Sequence, residues 1–273
     1  MVERYRRSRG KQRLLGNHQK CWVWGRNTVC EILSADRWIP LELRLAESLP
    51  DTEIETAVTR ARCHAVKLHR SPNSELHSLC HSHEHQGYVA KMPPYPWLGD
   101  EHLSELLKNV SGAGLFVVCD RIQDPYNFGA MIRSGDALGV DAFVVGASHQ
   151  TGVTSLVTRC SAGAVAHAKL INVQDLSGAV SCLRRQDIRV IGTTRDGSQS
   201  LHAADFRGPT ALVVGNEGVG IDPSLLAQCD SLVHIPQSGH VGSLNASVAS
   251  GILMYEAARQ QATGGQHQHG NPA

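Results

Sequence analysis

The sequence predicts an α/β protein of two units, the larger of which holds a parallel β-sheet with helices on both faces. From Gly114 onward, short apolar runs alternate with amphipathic stretches of helical length. Buried parallel strands appear as continuous apolar runs, and helices usually connect them. The proline-rich stretch KMPPYPWLG, residues 91–99, precedes this region. Because dense prolines are unfavourable in helices and sheet interiors, we expect a linker here.

The first unit is expected to be a small α/β domain over residues 16–92. In order, the predicted elements are a helix containing Cys30, Ile32 and Leu33, a strand over Leu41–Leu45, a helix over Thr52–Cys63, and strands over Ala65–Leu68 and Gln86–Ala90. The linker, residues 93–112, is expected to include a short helix over Leu103–Val110.

The second unit is predicted to span residues 113–262. Its strands are expected over Leu115–Cys119, Ala142–Val145, Arg189–Gly192, Thr210–Val214 and Ser231–Ile235. Its helices are expected over Phe128–Leu138, Val153–Arg159, Leu176–Arg185, Pro223–Gln228 and Leu244–Gln260. The last residues, 263–273, contain no large apolar side chain, so a disordered tail is expected.

Charge is informative only at the N-terminus. The chain has 26 Lys and Arg against 25 Asp and Glu, so the overall balance favours no class of partner. Residues 1–13, however, hold six basic residues and one acid, Glu3. We predict a basic flexible tail over residues 1–15, which is either simply solvated or an arm that contacts phosphates.

Nothing in the sequence suggests export or membrane insertion. No apolar segment follows the basic tail, and no run is long enough to span a bilayer. The eight cysteines are scattered without a CxxC pair, which favours buried free thiols in a reducing compartment. We therefore expect a cytoplasmic protein.

The stretch DRIQDPYNFGAMIRSGDALG, residues 120–139, follows the first predicted strand of the second unit. Its spacing predicts that Asn127, Gly129 and Arg133 lie on or near one face of a helix. Asn127 could cap that helix, Gly129 permits a close approach, and Arg133 could pair with a phosphate. Open α/β sheets bind ligands at this edge, but an ordinary strand–loop–helix connection would look similar.

Two later stretches are also rich in polar and glycine residues. The strand LVVG leads into NEGVG, a loop that is not a P-loop because no Gly-Lys-Ser/Thr follows. Its carboxylate, Glu217, argues against a bare phosphate site, while a tight turn remains an alternative. The third stretch passes from Ile235-Pro236 through a polar loop into a long helix, for which Ser243 is the expected N-cap.

Together these stretches resemble the SpoU/TrmH family of RNA ribose 2′-O-methyltransferases, within the SPOUT class, over residues 114–260. The three motifs matched are Asn127-x-Gly129-x-x-x-Arg133, Gly215-Asn216-Glu217-Gly218-x-Gly220, and Ile235-Pro236 with Ser243-Leu244-Asn245-x-Ser247-Val248. Gln237 and Ala246 depart from the family pattern, which usually has Met and Val there, and Gln237 could alter the cofactor pocket.

The resemblance implies a deep trefoil knot near the C-terminus, a homodimer and S-adenosylmethionine as cofactor. By position in the motifs, the implied cofactor-binding residues are Gly215, Asn216, Gly220, Ile235 and Leu244. The implied catalytic residues are Arg133, Asn127, Glu217, Ser243 and Asn245. The first unit resembles the RNA-binding domain that often precedes such a catalytic domain, through GRNTV at residues 25–29 and HQGYVA at residues 85–90.

The expected substrate is ribosomal RNA, most simply a guanosine of 23S (large-subunit) rRNA. Transfer RNA is the alternative substrate, and a non-catalytic RNA-binding protein on the same scaffold is an alternative of another class. A dinucleotide-dependent oxidoreductase is disfavoured, because no G-x-G-x-x-G follows the first strand. His77, Cys80, His81, His83 and His85 match no standard zinc spacing, so no metal is expected and a solvated loop near RNA is favoured.

Overall fold

The computed structural model describes residues 14–17, 20–110, 112–240 and 242–264. The chain divides into two compact units, Met1–Tyr95 and Pro96–Ala273, and the division falls inside the proline-rich stretch. The basic segment at residues 1–13 and residues 265–273 of the expected tail lie outside the described residues.

The first unit is a four-stranded sheet with helices. Its elements are β1 (Trp22–Trp24), α1 (Arg26–Ser34), β2 (Glu42–Ala46), α2 (Asp51–Cys63), β3 (Lys67–Ser71), α3 (Asn73–Cys80) and β4 (Tyr88–Lys91). The strand order is β1-β4-β2-β3, with β4 antiparallel to both neighbours and β2 parallel to β3. The sequence prediction missed β1 and α3, which are only three and eight residues long.

The second unit alternates strands and helices as predicted. Its elements are α4 (Asp100–Lys108), β5 (Leu115–Asp120), α5 (Pro125–Ala137), β6 (Ala142–Gly146), α6 (Ser155–Cys160), β7 (Leu170–Val173), α7 (Leu176–Arg184), β8 (Arg189–Thr193), β9 (Gln199–Ser200), β10 (Thr210–Gly215), α8 (Pro223–Leu226), β11 (Ser231–His234) and α9 (Ala246–Gly264). All five predicted strands are present, each ending within one residue of its expected position. The prediction missed β7 and β9.

The seven strands of this unit form one sheet in the order β7-β6-β5-β10-β8-β11-β9, and every neighbouring pair is parallel. Every residue of β5 is buried, which explains the uninterrupted apolar run Leu115–Cys119; the last residue of the strand, Asp120, is a buried acid. Strands β6 and β7 extend the sheet on one side of β5, whereas β10 and β8 lie on the other. The order therefore reverses beside β5, and ligands bind at such switch points in open α/β sheets.

The helix caps differ from the sequence prediction. Asp124 caps α5 by accepting from the N–H of Tyr126, and Pro125 begins the helix. Asn127 therefore lies inside the first turn and is not the cap. At α9 the cap is Asn245, whose Oδ1 accepts from the backbone N–H of Ser247 at 2.9 Å; Ser243, the expected cap, lies before the helix.

The C-terminal helix is longer than predicted. It continues to Gly264, so residues 263 and 264, assigned to the tail from sequence, belong to α9. Gln260 and Gln261 hold its end, because their side-chain amides donate at 2.9 Å to the carbonyls of Ala204 and Gly208. Among the described residues, no helix is long and apolar enough to cross a membrane.

All eight cysteines are free, in agreement with the sequence prediction, but they are not uniformly buried. Cys63 is exposed, while Cys119 is buried in β5. Burial, followed by the nearby negative charge of Asp120, raises the pKa of the Cys119 thiol to about 12. This thiol is therefore protonated and unreactive at neutral pH.

Candidate active site

One buried amide joins the three motif segments. Asn127, 7% exposed, lies in the first turn of α5 at the carboxyl end of β5. Its Nδ2 donates to Oε1 of Glu217, in the loop after β10. Its Oδ1 accepts from Nδ2 of Asn245, before α9, at 2.9 Å. The structure thus brings together three of the five predicted catalytic residues in one hydrogen-bonded chain.

The third member of this chain is oriented by the helix that it caps. Oδ1 of Asn245 accepts from the backbone N–H of Ser247 at 2.9 Å and from its hydroxyl at 2.6 Å. The N–H of Val248 also points at this oxygen, at 3.3 Å. An amide has one accepting end and one donating end, so these donors turn the Asn245 nitrogen towards Asn127. The polar cluster at the start of α9 is therefore both a cap and a tertiary contact.

The loop after β10 is a tight turn built around Asn216. Oδ1 of this residue accepts from the N–H groups of Gly218 and Val219, at 2.8 and 3.2 Å, and its backbone carbonyl accepts from Gly220. A Cβ on Gly215 would lie 2.4 Å from the carbonyl carbon of Gly220. Gly220 itself has a φ of +70°, in the left-handed region. Both glycines are thus required by the turn.

A buried carboxylate, missed from the sequence, fastens this loop to β5. Asp120, 4% exposed, accepts from Nε of Arg121 at 3.1 Å and from the backbone N–H of Asp222 at 2.7 Å. The backbone carbonyl of Arg121 accepts from Nδ2 of Asn216 at 3.1 Å. In the sequence, the acid directly after the apolar run Leu115–Cys119 was the signal that could have indicated this residue. These contacts join the end of β5 to the loop that follows β10.

A cavity of about 590 Å³ opens at this edge of the sheet. Its lining includes all five residues predicted to bind the cofactor, together with Glu217 and Ser243 from the predicted catalytic set. Val214, Ile221 and Leu253 add apolar walls. The volume lies within the range of about 300–1,000 Å³ typical of small-molecule sites, and such sites combine apolar walls with a few backbone polar groups. The lining therefore fits an adenosine-containing cofactor.

The sequence prediction missed one wall of this cavity. Thr193, Thr194, Arg195 and Asp196, at the end of β8 and in the turn that follows, also line it. The segment TTRDG does carry a signal, since polar and glycine residues at the end of a buried strand are typical of a binding loop.

Arg133 lies apart from the chain of amides. It is exposed on α5, and within the described part of the protein its side chain forms no hydrogen bond or ion pair. Arg133 follows Asn127 by six positions, which is one full helical turn plus about two thirds of another. Asn127 is buried and Arg133 is exposed, so the prediction that Asn127, Gly129 and Arg133 lie on or near one face is wrong for this pair. Gly129 is buried and faces α6, where a Cβ would come 2.9 Å from the carbonyl oxygen of Val157.

The histidine-rich segment is organised differently from a metal site. The rings of His77 and His83 stack with centroids 3.8 Å apart, while His85 is buried and accepts from the N–H of Gly87 through Nδ1. Burial, and then the two neighbouring imidazoles, lower the pKa of His85. The described residues contain no group of three or more His, Cys, Asp or Glu side chains that could hold a metal ion.

Comparison with known proteins agrees with the geometry. Residues 114–255 match the SpoU rRNA methylase family, and residues 22–98 match the family described as RNA 2′-O ribose methyltransferase substrate binding. A 23S rRNA (guanosine-2′-O-)-methyltransferase of Ralstonia nicotianae is 36% identical, covering 77% of this chain and 84% of the relative. One from Coxiella burnetii is 32% identical, covering 88% of this chain and 95% of the relative.

Solved structures extend this similarity to nearly the whole chain. The SpoU methyltransferase AviRb from Streptomyces viridochromogenes, in complex with its cofactor S-adenosylmethionine, is 25% identical and has a TM-score of 0.74. The match covers 92% of this chain and 96% of AviRb. The fold and the site thus define an S-adenosylmethionine-dependent RNA 2′-O-ribose methyltransferase. The chain belongs to the SpoU rRNA methylase family.

Proposed function

We propose that the protein methylates the ribose 2′-hydroxyl of a guanosine in 23S rRNA. The observation that carries the proposal is the amide of Asn127, which joins Glu217 and Asn245 beside the cavity. These contacts join α5, the proposed substrate side, to two loops that line the proposed cofactor cavity. The ribosomal guanosine as target is supported by relatives with that name at 36% and 32% identity.

The cofactor site is proposed to use the backbone more than side chains. S-adenosylmethionine, when bound, supplies a methyl group on a sulfonium whose leaving group is a neutral thioether. Gly215 and Gly220 keep the loop backbone accessible, while Ile235 and Leu244 provide apolar walls for the adenine. Asn216 holds the loop in shape through its turn contacts.

Arg133 is proposed to bind the substrate. Its exposed guanidinium has no partner within the described residues, so it is available to clamp a phosphate and orient the ribose hydroxyl. A guanidinium is almost always protonated and is therefore a poor general base. Three groups remain as acceptors of the hydroxyl proton: Arg133, the substrate phosphate and water. Glu217, Asn245 and Asn127 would position these groups, and Ser243 contributes to the cavity wall.

The proposed domain roles follow the sequence prediction. Residues 16–92 would bind the RNA and residues 113–262 would carry out the transfer. The stretch predicted as a linker, residues 93–112, contains α4, and the second unit already begins at Pro96. The match of residues 22–98 to a substrate-binding family supports this division. We also propose a cytoplasmic location, in keeping with relatives that are named 23S rRNA methyltransferases.

A C-terminal knot and a homodimer are part of the same proposal. After β11, the chain returns so that α9 packs on α5 and β10, which is compatible with a knotted path. Large apolar side chains are exposed on these two helices, with Tyr126 61%, Val248 50% and Tyr255 60% accessible. A surface that exposes several large apolar groups is typical of an interface. A second copy of this chain is the proposed partner.

Arg133→Ala and Arg133→Lys test the catalytic assignment. With purified 23S rRNA and labelled S-adenosylmethionine, Arg133→Ala should lose transfer while its affinity for S-adenosylhomocysteine, measured by calorimetry, stays within about twofold. Arg133→Lys keeps the charge but not the fork of donors, so it should retain part of the transfer rate. Because Arg133 has no partner in the described fold, its removal should leave Tm unchanged. Transfer by Arg133→Ala at the wild-type rate would exclude this role.

Mapping of ribose methylation in a deletion strain tests the substrate. The expected result is loss of methylation at a single guanosine of 23S rRNA, restored by the wild-type gene. Loss of methylation at a transfer RNA position would identify transfer RNA, and not ribosomal RNA, as the substrate. If no site is lost and S-adenosylhomocysteine does not bind, the protein is an RNA-binding protein on this scaffold.

A further inference from the structure

The turn between β8 and β9 places a cation in the wall of the cofactor cavity. Arg195 lines the cavity and is exposed. Its guanidinium lies over the loop after β11, because a Cβ on Gly242 would be only 3.2 Å from its Nη1. Within the described residues it has no ion pair and no hydrogen bond. A guanidinium so placed is available to a bound anion.

The charges around the cavity indicate which anion Arg195 can bind. Among the described lining residues, Arg195 is the single Lys, Arg or His, and the acids are Asp196 and Glu217. S-adenosylmethionine carries a positive sulfonium and a positive ammonium, and its one anionic group is the carboxylate of its methionyl end. The guanidinium of Arg195 repels both the sulfonium and the ammonium, so the carboxylate is the group of the cofactor that it can attract.

The sheet order separates this cation from the substrate side. β8 lies next to β10 on the side opposite β5, which leads into α5 with Asn127 and Arg133. Arg195 therefore belongs to the cofactor side, where Ser243 and Leu244 also line the cavity, rather than to the proposed phosphate clamp. We propose that Arg195 binds the carboxylate of S-adenosylmethionine and makes cofactor affinity depend on the amino-acid end of the molecule. This inference rests on the cofactor cavity described above.

A pair of ligands isolates the proposed contact. S-adenosylhomocysteine and 5′-methylthioadenosine share adenine, ribose and a thioether, but the second lacks the amino-acid end. In calorimetric titrations, Arg195→Gln should lower the affinity for S-adenosylhomocysteine by about 10- to 100-fold. This is the usual effect of losing one charge-assisted hydrogen bond. Its affinity for 5′-methylthioadenosine should stay within about twofold of wild type. Arg195→Lys, which retains the charge, should bind S-adenosylhomocysteine with an affinity between those of wild type and Arg195→Gln.

Arg185→Gln is the matched control. It removes the same charge from the same unit, at the end of α7, and Arg185 does not line the cavity. Both ligands should bind this variant as they bind wild type.

Three outcomes would overturn the proposal. Equal weakening of both ligands by Arg195→Gln would mean that Arg195 only supports the cavity wall. Unchanged binding of both ligands with a raised KM for RNA would assign it to an RNA phosphate. Unchanged binding with unchanged kinetics would leave it without a role in either ligand site. Binding of 5′-methylthioadenosine also reports whether the variant has folded, so a misfolded protein cannot be taken for support.

Discussion

Asn127→Asp should disconnect the three motif segments without changing the size of the side chain. In the native protein, the amide nitrogen of Asn127 donates to the Glu217 carboxylate, while its oxygen accepts from Asn245. Aspartate retains the accepting oxygen but has no hydrogen to donate. At neutral pH, the substitution therefore replaces one hydrogen bond to a charged group by two carboxylates in contact.

The expected loss can be worked out from this geometry. A hydrogen bond to a charged group contributes about 1.5–3 kcal/mol, and Asn127, 7% exposed, has little water to replace it. Glu217 is exposed, so water screens much of the repulsion between the carboxylates. We expect the free energy of unfolding to fall by about 2–3 kcal/mol, which lowers Tm by about 4–12 °C for a domain of this size.

A double-mutant cycle distinguishes this contact from a general defect. Glu217→Gln alone should cost about 1 kcal/mol, because Asn127 can still donate to the new amide oxygen. In the double variant the hydrogen bond is reversed, since the new amide at position 217 donates to the new carboxylate at position 127. Its stability should recover to within about 1 kcal/mol of wild type. Calorimetric unfolding of all four proteins measures the cycle. If the two losses simply add, the contact does not link the segments energetically.

Three further predictions follow from single positions. Gly215→Ala places a Cβ 2.4 Å from the loop backbone and should lower the affinity for S-adenosylhomocysteine by more than about tenfold. In Gly218→Ala the nearest atom would be 3.4 Å from the new Cβ, so its affinity should stay within about twofold of wild type. Gly129→Ala places a Cβ 2.6 Å from another Cβ and should lower the free energy of unfolding by about 1–3 kcal/mol, while Gly152→Ala, with nothing within 4 Å, should be neutral. The pKa of His85 in the folded protein lies below its ordinary value of 6.5, so as pH falls the unfolded chain binds the proton first. The contribution of neutral His85 to stability is therefore present above about pH 6.5 and is lost as pH falls towards the folded-state pKa. His85→Gln should flatten that pH dependence.

For each of these three predictions, one experimental result would contradict the reasoning. Equal ligand affinity in the Gly215 and Gly218 variants would mean that the turn is not part of the cofactor site. A stable Gly129→Ala protein would show that α5 and α6 can separate at little cost. A pH dependence of unfolding between about pH 7.5 and 5.5 that His85→Gln leaves unaltered would assign it to other groups.

The strands of the catalytic unit were predictable because their pattern is local. The run Leu115–Cys119 of β5 is buried at every position and apolar at every position, and such a run can be recognised without knowledge of its neighbours. The motif loops were visible for a similar reason, since glycines and polar residues stand out after such strands. The caps were not predictable in detail: Asp124, Asn127, Ser243 and Asn245 are all suitable residue types, and only the backbone path decides which one caps.

The site itself depends on contacts between distant residues. Asn127 meets Glu217 and Asn245 across 90 and 118 residues of chain, and Asp120 meets the N–H of Asp222 across 102. The strands, the loop composition and the family resemblance could be obtained from sequence alone, because short apolar runs and glycine turns are dictated by neighbouring residues. The order β5-β10-β8 could not, because strand neighbours are chosen by packing over the whole sheet. That order joined Asn127 to Glu217 and placed Arg195 in the cavity wall.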